Sequence, residues 1–318
     1  MTVVWALVDD LPGHKSQCLG VAEALGLGFE AQRLEYRGRA GLPNVLLGAT
    51  FGGLTSASRG ELGPPWPDLV IAAGRRTAPV ARAIKKASGG AAKLVQLMFP
   101  GNDGTDEFDL IAAPAHDNLP IRRNLYRTIG APHWITRARL DDAAGVWREH
   151  FQDLPRPRIA LLVGGSTRRR TFTEAMAREL AGTVSAMAAA QGGSLLVSTS
   201  RRSADVADPL IAAIEVPAHV YRWGDEGDNP YFGYLALADA FVVTGDSVSM
   251  CSEACYVTRP VYIYGPGELC VPKHARLHQA LYDGGYARPL TGTLEKWTPP
   301  SLDTAGHLAA EIRKRLEI

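Results

Sequence analysis

The stretch VVTGDSVSMCSEACYVTRPVYIY, residues 242–264, contains two apolar, β-branched runs separated by a segment with helical character. The first run ends at Thr-Gly-Asp-Ser, and Glu253 falls inside the helical segment. One interpretation is that the helix start holds an anion and Glu253 holds hydroxyl groups. The other is ordinary punctuation between a strand and a helix. The rest of the chain is needed to choose between them.

The same alternation of apolar runs and helical patterns continues along nearly the whole chain. We predict strands at 2–8, 29–35, 68–73, 93–98, 108–112, 158–163, 194–199, 218–222, 240–244 and 260–264. Continuously apolar strands joined by helices indicate parallel sheets that are covered on both faces. The predicted fold class is therefore α/β, with two doubly wound Rossmann-like domains facing a central cleft.

Two prolines in the polar segment 152–157 favour an extended linker, which sets the predicted domain boundary. The N-terminal domain would then span 1–152 and the C-terminal domain 158–302. Residues 303–318 contain an amphipathic pattern and form a C-terminal helix, which could pack back towards the N-terminal domain.

Composition excludes several classes of protein. The 318 residues contain 34 Lys+Arg against 33 Asp+Glu, a net charge of +1, which argues against a nucleic-acid partner. No stretch approaches the ~20 apolar residues of a membrane-spanning helix, and the start does not resemble a signal peptide. Four cysteines in a chain of this length do not form a disulfide framework, so we expect a cytoplasmic location.

Two pairs of residues at helical spacing are candidate zinc ligands: Cys251 with Cys255, and His274 with His278. The separation between the pairs matches no common zinc pattern. Buried cysteines on a core helix are the favoured interpretation, and no metal site is predicted.

Arginines follow three predicted strands at their carboxyl ends, where doubly wound sheets bind ligands. Exposed helix-starting amides and guanidinium groups both suit phosphate oxygens. Solvated loops or salt bridges are the alternative, but the repetition favours a shared anion-binding role. The residues concerned are Arg75, Arg76, Arg168, Arg169, Arg170, Ser200, Arg201 and Arg202.

The pair Gly164-Gly165, followed by Ser166, would let the backbone approach a phosphate closely. The segment does not match the dinucleotide fingerprint G-x-G-x-x-G, and no Walker lysine pattern is present. This argues against both a standard dinucleotide dehydrogenase and a P-loop nucleotidase.

Residues 228–264 resemble the donor half of GT-B glycosyltransferases, notably the peptidoglycan lipid-intermediate transferase group. The order is helix, Ala-Asp, strand, Thr-Gly-Asp-Ser, helix with glutamate, Arg-Pro, strand. The resemblance implies that Thr244, Gly245, Ser247 and Ser249 face donor phosphates. It also implies that Glu253 holds ribose or sugar hydroxyls.

The N-terminal loop resembles the same group only at Gly13-His14. The resemblance makes His14 the candidate base for an acceptor hydroxyl, with Asp10 beside it; a polar residue in a first helical turn is the alternative. His116 follows another predicted strand and is a second candidate for the cleft, although a helix-capping role is equally good.

The segments DDLPGHKSQ, AAGRRTAPVA, FDLIAAPAHD, GGSTRRRTFT, STSRRS and GDNPYFGYLALADAFVVTGDSVSM together resemble the mitochondrial-fission (elongated-mitochondria) family. This resemblance covers nearly the whole chain. It implies a GT-B-like architecture and, in plants, a role at the mitochondrial outer surface, but no established reaction.

Asp246 departs from the transferase pattern, in which this turn carries a small neutral residue. A carboxylate beside a diphosphate costs Coulomb energy unless a cation intervenes. It could pair with Arg168 to Arg170, bind Mg²⁺ together with phosphate, or bind sugar hydroxyls.

Two further segments have competing interpretations. The acidic stretch with Asp103, Asp106 and Glu107 is interpreted as a solvated loop rather than a set of Mg²⁺ ligands. The uncharged segment 43–54 is interpreted as a buried connection, with peripheral contact to a membrane surface as the alternative.

The expected function is that of a GT-B-type transferase with a UDP- or GDP-type nucleotide-sugar as co-substrate and no required cofactor. A nucleotide-sugar epimerase and a non-catalytic binding protein at a membrane or division apparatus are the alternatives. The acceptor is not identified by the sequence.

Overall fold

A computed structural model describes residues 2–318, which divide into two compact units. Residues 2–134 and 303–318 form the first unit, and residues 135–302 form the second. Each unit is built on its own six-stranded sheet, and every strand pairing is parallel.

The first unit has the strand order β2-β1-β3-β4-β5-β6. Its central strands are fully buried and consist mostly of Val, Leu, Ile and Ala, as expected for a sheet covered on both faces. The elements are β1 (Val4–Val8), α1 (Pro12–Ala24), β2 (Phe29–Arg33), α2 (Asn44–Leu47), α3 (Ser56–Gly60), β3 (Leu69–Ala73), α4 (Ala78–Ala87), β4 (Lys93–Leu97), β5 (Leu110–Pro114) and β6 (Leu125–Thr128).

The second unit has the order β12-β11-β10-β7-β8-β9. Apolar residues on both faces of its central strands form two core clusters. The elements are α5 (Arg137–Trp147), β7 (Arg158–Leu162), α6 (Glu174–Ala189), β8 (Ser194–Ser198), α7 (Ala207–Ala212), β9 (Ala218–Tyr221), α8 (Tyr231–Leu237), β10 (Ala240–Thr244), α9 (Val248–Tyr256), β11 (Val261–Tyr264), α10 (Pro272–Asp283) and β12 (Arg288–Pro289).

The observed division of the chain differs from the predicted one. The boundary falls after residue 134, and the proline segment 152–157 lies inside the second unit. The reason is α5, a helix that the sequence analysis did not predict. Its Leu140 belongs to the core of the second unit, and the Trp147 ring lies so close to Gly233 of α8 that a Cβ there would be 2.4 Å away.

The chain ends in α11 (Thr304–Leu316), which belongs to the first unit. Its Leu308 and Ile312 pack in one core cluster with Cys18 and Val21 of α1. The Thr304 hydroxyl donates to the carbonyl of Ile129 at 2.7 Å. The amphipathic pattern of 303–317 is therefore satisfied by burial against the N-terminal sheet and helix.

Strand order places one reversal point in each sheet, where neighbouring strands send their helices to opposite faces. In the first sheet this point lies between β1 and β3, and in the second it lies between β7 and β10. Ligands of doubly wound proteins bind beyond the carboxyl ends of the strands at such points. Across residues 2–318, no helix has the length and apolar character needed to cross a bilayer.

Candidate functional site

The reversal point of the first unit gathers ionisable side chains around Asp9, which follows β1. The Asp9 carboxylate lies 2.9 Å from Nδ1 of His14 and 3.1 Å from Nη2 of Arg76. Arg76 also pairs with the exposed Asp10. Gly74 follows β3 with φ +82°, and the His14 imidazole occupies the space of its missing side chain. Asp9 and Gly74 together fix the position of this imidazole.

The environment of Asp9 favours its ionised form. Burial by itself would raise the pKa of this carboxyl, because its side chain is completely inaccessible. The hydrogen bond and charge of His14, the amide of Leu11 and the guanidinium of Arg76 outweigh burial, and the pKa of Asp9 is lowered from 3.8. An ionised Asp9 holds the proton of His14 on Nδ1, which leaves Nε2 as the basic nitrogen.

The two arginines after β3 have different surroundings. Arg76 faces the site and stacks over the Tyr36 ring at 4.8 Å. Arg75 donates to the carbonyl of Leu42 at 2.6 Å, to that of Ala40 at 3.1 Å and to Oδ1 of Asn44 at 3.2 Å. Arg75 therefore anchors the loop 40–44, and we leave it out of the proposed ligand site.

The remaining candidates of the first unit are less informative. Gly13 lies in the first turn of α1, directly before His14. His116 follows β5 and is buried, with Nε2 4.0 Å from Oδ1 of Asp117. Neither residue adds to the group that surrounds Asp9.

The reversal point of the second unit is formed by the loop after β7 and the turn after β10. The amide of Gly164 donates to Oγ1 of the buried Thr244 at 2.7 Å, which joins the ends of the two strands. The Ser200 hydroxyl donates to the carbonyl of Gly164 and accepts from the amide of Arg202 at 3.1 Å. Thr244 and Ser200 thus hold the glycine loop in place.

The glycine pair is required by close backbone packing. Gly165 has φ +116°, and a Cβ at this position would lie 2.4 Å from the carbonyl oxygen of Arg202. A Cβ on Gly164 would meet Oδ2 of Asp246 at 2.5 Å. The amide of Ser166 donates to the Arg202 carbonyl at 2.9 Å, so the loop rests directly on the segment after β8.

Asp246 is paired within its own unit. Nη1 of Arg202 lies 2.6 Å from Oδ2 of Asp246, and the same nitrogen contacts the carbonyls of Gly165 and Ser166 at 3.3 and 3.4 Å. The sequence analysis considered Arg168 to Arg170 as the partner. Arg202 takes this role instead, because β7 lies between β10 and β8 and brings the two turns together.

The start of α9 presents free amide groups beside the glycine loop. The Ser247 hydroxyl caps the helix by accepting from the amide of Met250 at 3.4 Å. The amides of Val248, Ser249 and Gly165 have no hydrogen-bond partner within residues 2–318. Their donors carry the partial positive charge of a helix N-terminus and a glycine loop, which suits an anion.

Glu253 lies one turn further along α9 and accepts a hydrogen bond from the Tyr231 hydroxyl at 2.5 Å. Burial raises the pKa of Glu253, although this hydrogen bond opposes the rise. Burial and the nearby Glu253 also raise the pKa of Tyr231, so the phenol remains a donor. One orientation of the Glu253 carboxyl group is thereby fixed.

Four predicted arginines remain exposed at this edge, and they form no ion pair with any residue from 2 to 318. They are Arg168, Arg169, Arg170 and Arg201. Three belong to the loop between β7 and α6, which is closed by a 2.8 Å hydrogen bond from the amide of Thr167 to the carbonyl of Arg170.

The metal alternatives receive no support from the described residues. No three His, Cys, Asp or Glu side chains among residues 2–318 are grouped as metal ligands. Cys251 and Cys255 are fully buried in the core. The acidic loop is not simply solvated, because Asp103 and Glu107 pair with Arg82 at 2.8 and 2.5 Å.

The sequence analysis missed three residues that organise these edges. Asp9 directly follows the predicted strand 2–8, and this position at a strand end was the available sequence signal. Tyr36 and Tyr231 carried no local signal, because the loop after β2 and the start of α8 are brought to the sites only by the fold.

Comparison with known proteins identifies the family. The model of the family described as "Mitochondrial fission ELM1" matches residues 12–316. The chain belongs to this family. It is 29% identical over 307 residues to the Arabidopsis thaliana mitochondrial fission protein ELM1, covering 89% of this chain and 71% of the relative. It is 27% identical over 352 residues to an uncharacterized protein of Rickettsia prowazekii, with 99% of each chain covered.

Solved structures place this ELM1-family chain in the GT-B fold. UDP-GlcNAc 2-epimerase from Methanocaldococcus jannaschii, in complex with UDP-GlcNAc and UDP, matches with a TM-score of 0.53 at 11% identity, over 99% of this chain and 100% of that one. Heptosyltransferase II of Escherichia coli, an ADP-heptose enzyme, gives 0.50 at 12% identity, over 100% and 99%. Acinetobacter baumannii MurG gives 0.50 at 12% identity, over 99% and 92%. The predicted family and the pair of Rossmann-like domains are confirmed.

Proposed function

We propose that this ELM1-family protein binds a nucleotide-sugar through its second unit and transfers the sugar to a hydroxyl acceptor. The observation that carries the proposal is the group of unpartnered amides from Gly165, Val248 and Ser249 at the reversal point. Backbone amides at a helix start and a glycine loop are a recurrent diphosphate site. The GT-B structures in complex with UDP compounds support the proposal by fold alone.

Other residues would complete the donor site. Arg168, Arg169, Arg170 and Arg201 are exposed and form no ion pair within the described part of the chain, so they supply positive charge for a ligand. Such charge would stabilise the leaving nucleoside diphosphate as the sugar departs. Glu253, held by Tyr231, would accept hydrogen bonds from ribose hydroxyls.

The first unit would supply the general base. Transfer to a hydroxyl requires removal of its proton as the oxygen attacks the anomeric carbon. Nε2 of His14 is suited to this step, because Asp9 fixes the imidazole and stabilises the imidazolium that forms. Arg76 shares Asp9 with His14 and helps to hold the carboxylate in place.

An epimerase is the second candidate, because a UDP-GlcNAc 2-epimerase shares the fold over 99% of this chain. The His14–Asp9 pair could equally remove a proton from a sugar carbon. An epimerase changes the nucleotide-sugar without an acceptor, whereas a transferase requires one. Following a nucleotide-sugar by NMR in the absence of acceptor distinguishes the two activities.

Nucleotide binding is the first test. Thermal unfolding would be followed with UDP, GDP, UDP-GlcNAc and GDP-mannose. A nucleotide at about one hundred times its Kd should raise Tm by about 5–10 °C. Glu253→Ala should weaken binding about 10-fold and Arg168→Ala about 3- to 10-fold.

Arg178→Ala is the matched control for the arginine variant. Arg178 is exposed on α6, and its guanidinium pairs with Glu174 at 2.8 Å, unlike the four arginines that form no ion pair among the described residues. Its removal should leave nucleotide affinity unchanged. If no nucleotide at millimolar concentration shifts Tm, the enzymatic proposals fail and a non-catalytic binding role becomes the better account.

We also propose a peripheral membrane contact through the segment 43–54 together with the adjoining Leu42. The structure divides this segment: Leu54 and Asn44 are buried, whereas Val45 is 68% and Leu46 70% exposed. Arg75 anchors the residues directly before these two side chains, through the carbonyl of Leu42 and Oδ1 of Asn44. Apolar side chains on an anchored loop can enter the headgroup region of a bilayer.

The membrane proposal is tested by co-sedimentation with phosphatidylglycerol–phosphatidylcholine vesicles. The double variant Val45→Ser, Leu46→Ser should lose most vesicle binding. Ile121→Ser is the control, because Ile121 is 88% exposed in the same unit but away from this loop in sequence. Equal binding by both variants would contradict the proposal.

A further inference from the structure

Asp246 has a buried carboxylate whose hydrogen-bonding capacity is not used. Its side chain is completely inaccessible to solvent. Oδ2 forms the close ion pair with Arg202, but the N–H direction does not make a hydrogen bond, and Oδ1 has no partner among residues 2–318. Leaving a buried carboxylate oxygen without a donor is costly.

His274 presents a second unused polar atom beside the same turn. It lies in the first turn of α10, and its buried Nδ1 has no partner within residues 2–318. His278, one turn later on the same helix face, contacts the carbonyl of Gly245 through Nε2 at 2.8 Å. The face of α10 that carries both histidines therefore runs along the Gly245–Asp246 turn.

The chemistry of these two groups limits what they can bind. An ionised carboxylate only accepts hydrogen bonds, and a phosphate diester oxygen has no proton to give. The diphosphate therefore cannot satisfy Asp246. Arg202 cancels the charge of Asp246, so a neutral ligand group is acceptable at this position. A sugar hydroxyl can donate to Asp246 and also form a hydrogen bond with His274.

We propose that Asp246 and His274 bind hydroxyl groups of the sugar in the nucleotide-sugar donor. This inference rests on the proposed donor site and assigns its sugar-binding part. Asp246 lies in the turn that leads into α9, so its carboxylate and the free amides of Val248 and Ser249 belong to one short segment. Phosphate and sugar would be read by neighbouring groups of different chemistry.

The experiment compares the Kd of a nucleotide with that of its nucleotide-sugar, using calorimetry on UDP with UDP-GlcNAc and GDP with GDP-mannose, all in EDTA. The wild-type ratio of Kd for nucleotide to Kd for nucleotide-sugar is the reference. Asp246→Asn and His274→Ala should each lower this ratio about 5- to 10-fold. The Kd of the nucleotide alone should stay the same or improve in Asp246→Asn, since a negative charge is removed.

Arg201→Ala is the control, because this exposed arginine should weaken nucleotide and nucleotide-sugar equally and leave the ratio unchanged. The inference is overturned if both variants preserve the wild-type ratio, or if a preference for the nucleotide-sugar appears only when Mg²⁺ replaces EDTA. The second result would make Asp246 a metal ligand.

Two further controls keep the outcome readable. Circular dichroism and Tm establish that each variant is folded. If Asp246→Asn does not fold, the Kd ratio of His274→Ala tests the sugar assignment. Failure of wild-type protein to bind any nucleotide defeats the donor site itself and the inference with it. Normal nucleotide binding with unchanged ratios defeats the sugar assignment alone.

Discussion

The two reversal points have the same topology but opposite electrostatic designs. In the first unit, Asp9 is buried and satisfied by His14, Arg76 and the amide of Leu11. In the second unit, the amides of Val248 and Ser249 and several exposed arginines have no partner among the residues that the structure describes. The polar groups around Asp9 satisfy one another, whereas the second unit has hydrogen-bond donors that remain available to a ligand.

This difference shows how two parallel sheets can carry different chemistry at their carboxyl ends. A satisfied carboxylate fixes an imidazole in one tautomer, which is what proton transfer requires. Unpartnered amides at a helix start and a glycine loop, with exposed guanidinium groups nearby in sequence, are an arrangement that suits an anion. The parallel sheet places both sets at strand ends, while the loop sequences decide which chemistry each edge offers.

Removing the imidazole gives the largest expected effect. His14→Ala should lower kcat about 10²- to 10⁴-fold, because the proposed general base is lost. Nucleotide affinity should be unchanged, since the proposed donor site belongs to the second unit. Steady-state kinetics with a nucleotide-sugar and separate calorimetry of nucleotide binding measure the two quantities.

Asp9→Asn should give a smaller loss of kcat with the same unchanged affinity, because the imidazole remains but is no longer held by a carboxylate. A loss of nucleotide affinity in either variant would contradict the division between the two edges. So would full activity of His14→Ala.

Alanine substitutions at Gly165 and Gly74 should have different main effects, on stability at the first position and on activity at the second. At Gly165 a Cβ would meet the fixed backbone of Arg202 at a positive φ, so Gly165→Ala should lower the free energy of unfolding by about 2–3 kcal/mol. Gly74 also has a positive φ, but its Cβ would meet the His14 ring, which is the end of a side chain and can move aside. Gly74→Ala should therefore cost less stability and more activity.

Urea unfolding of both variants checks this prediction. Gly182→Ala is the control, because this helical glycine in α6 has open space around its Cα and the change should stabilise by about 0.5–1 kcal/mol. Equal destabilisation at positions 74 and 165, with activity retained in both, would show that His14 is not held by Gly74.

The fold could be predicted from sequence because its signals are local. Apolar runs such as 69–73 and 240–244 are buried strands at almost the predicted bounds. Two strands were missed for physical reasons: β6 is only partly apolar, and β12 has two exposed residues. Helix α5 was missed because its sequence has no strong apolar periodicity. Only Leu140 of its residues is buried.

Of the candidate site, the sequence predicts which loops follow the strands, but not which side chains pair there. The loops at Gly164 and Thr244 both follow predicted strands, and they lie at one sheet edge because β7 and β10 are neighbours. Which arginine pairs with Asp246 depends on side-chain geometry. The sequence separation of the arginines from Asp246 does not indicate that Arg202 is the partner. Arg75 looked equivalent to Arg76 in sequence but serves a loop.

The smallest expected effect is the pH dependence that Asp9 gives to stability. Its pKa is lowered below 3.8 in the folded protein, so the carboxylate stabilises the fold above that value. This contribution is lost as the pH falls through the lower, folded-state pKa. Asp9→Asn should therefore cost about 1 kcal/mol at pH 6 and progressively less as the pH falls from about 4 towards 2.

Urea unfolding of wild type and Asp9→Asn across this range measures the difference. Asp10→Asn removes the same charge from a side chain that is 69% exposed, and it should change stability less at every pH. A penalty for Asp9→Asn that stays constant down to pH 2 would mean that packing, rather than the charge of Asp9, stabilises this edge. The contrast with the proposed anion-binding edge would then rest on the second unit alone.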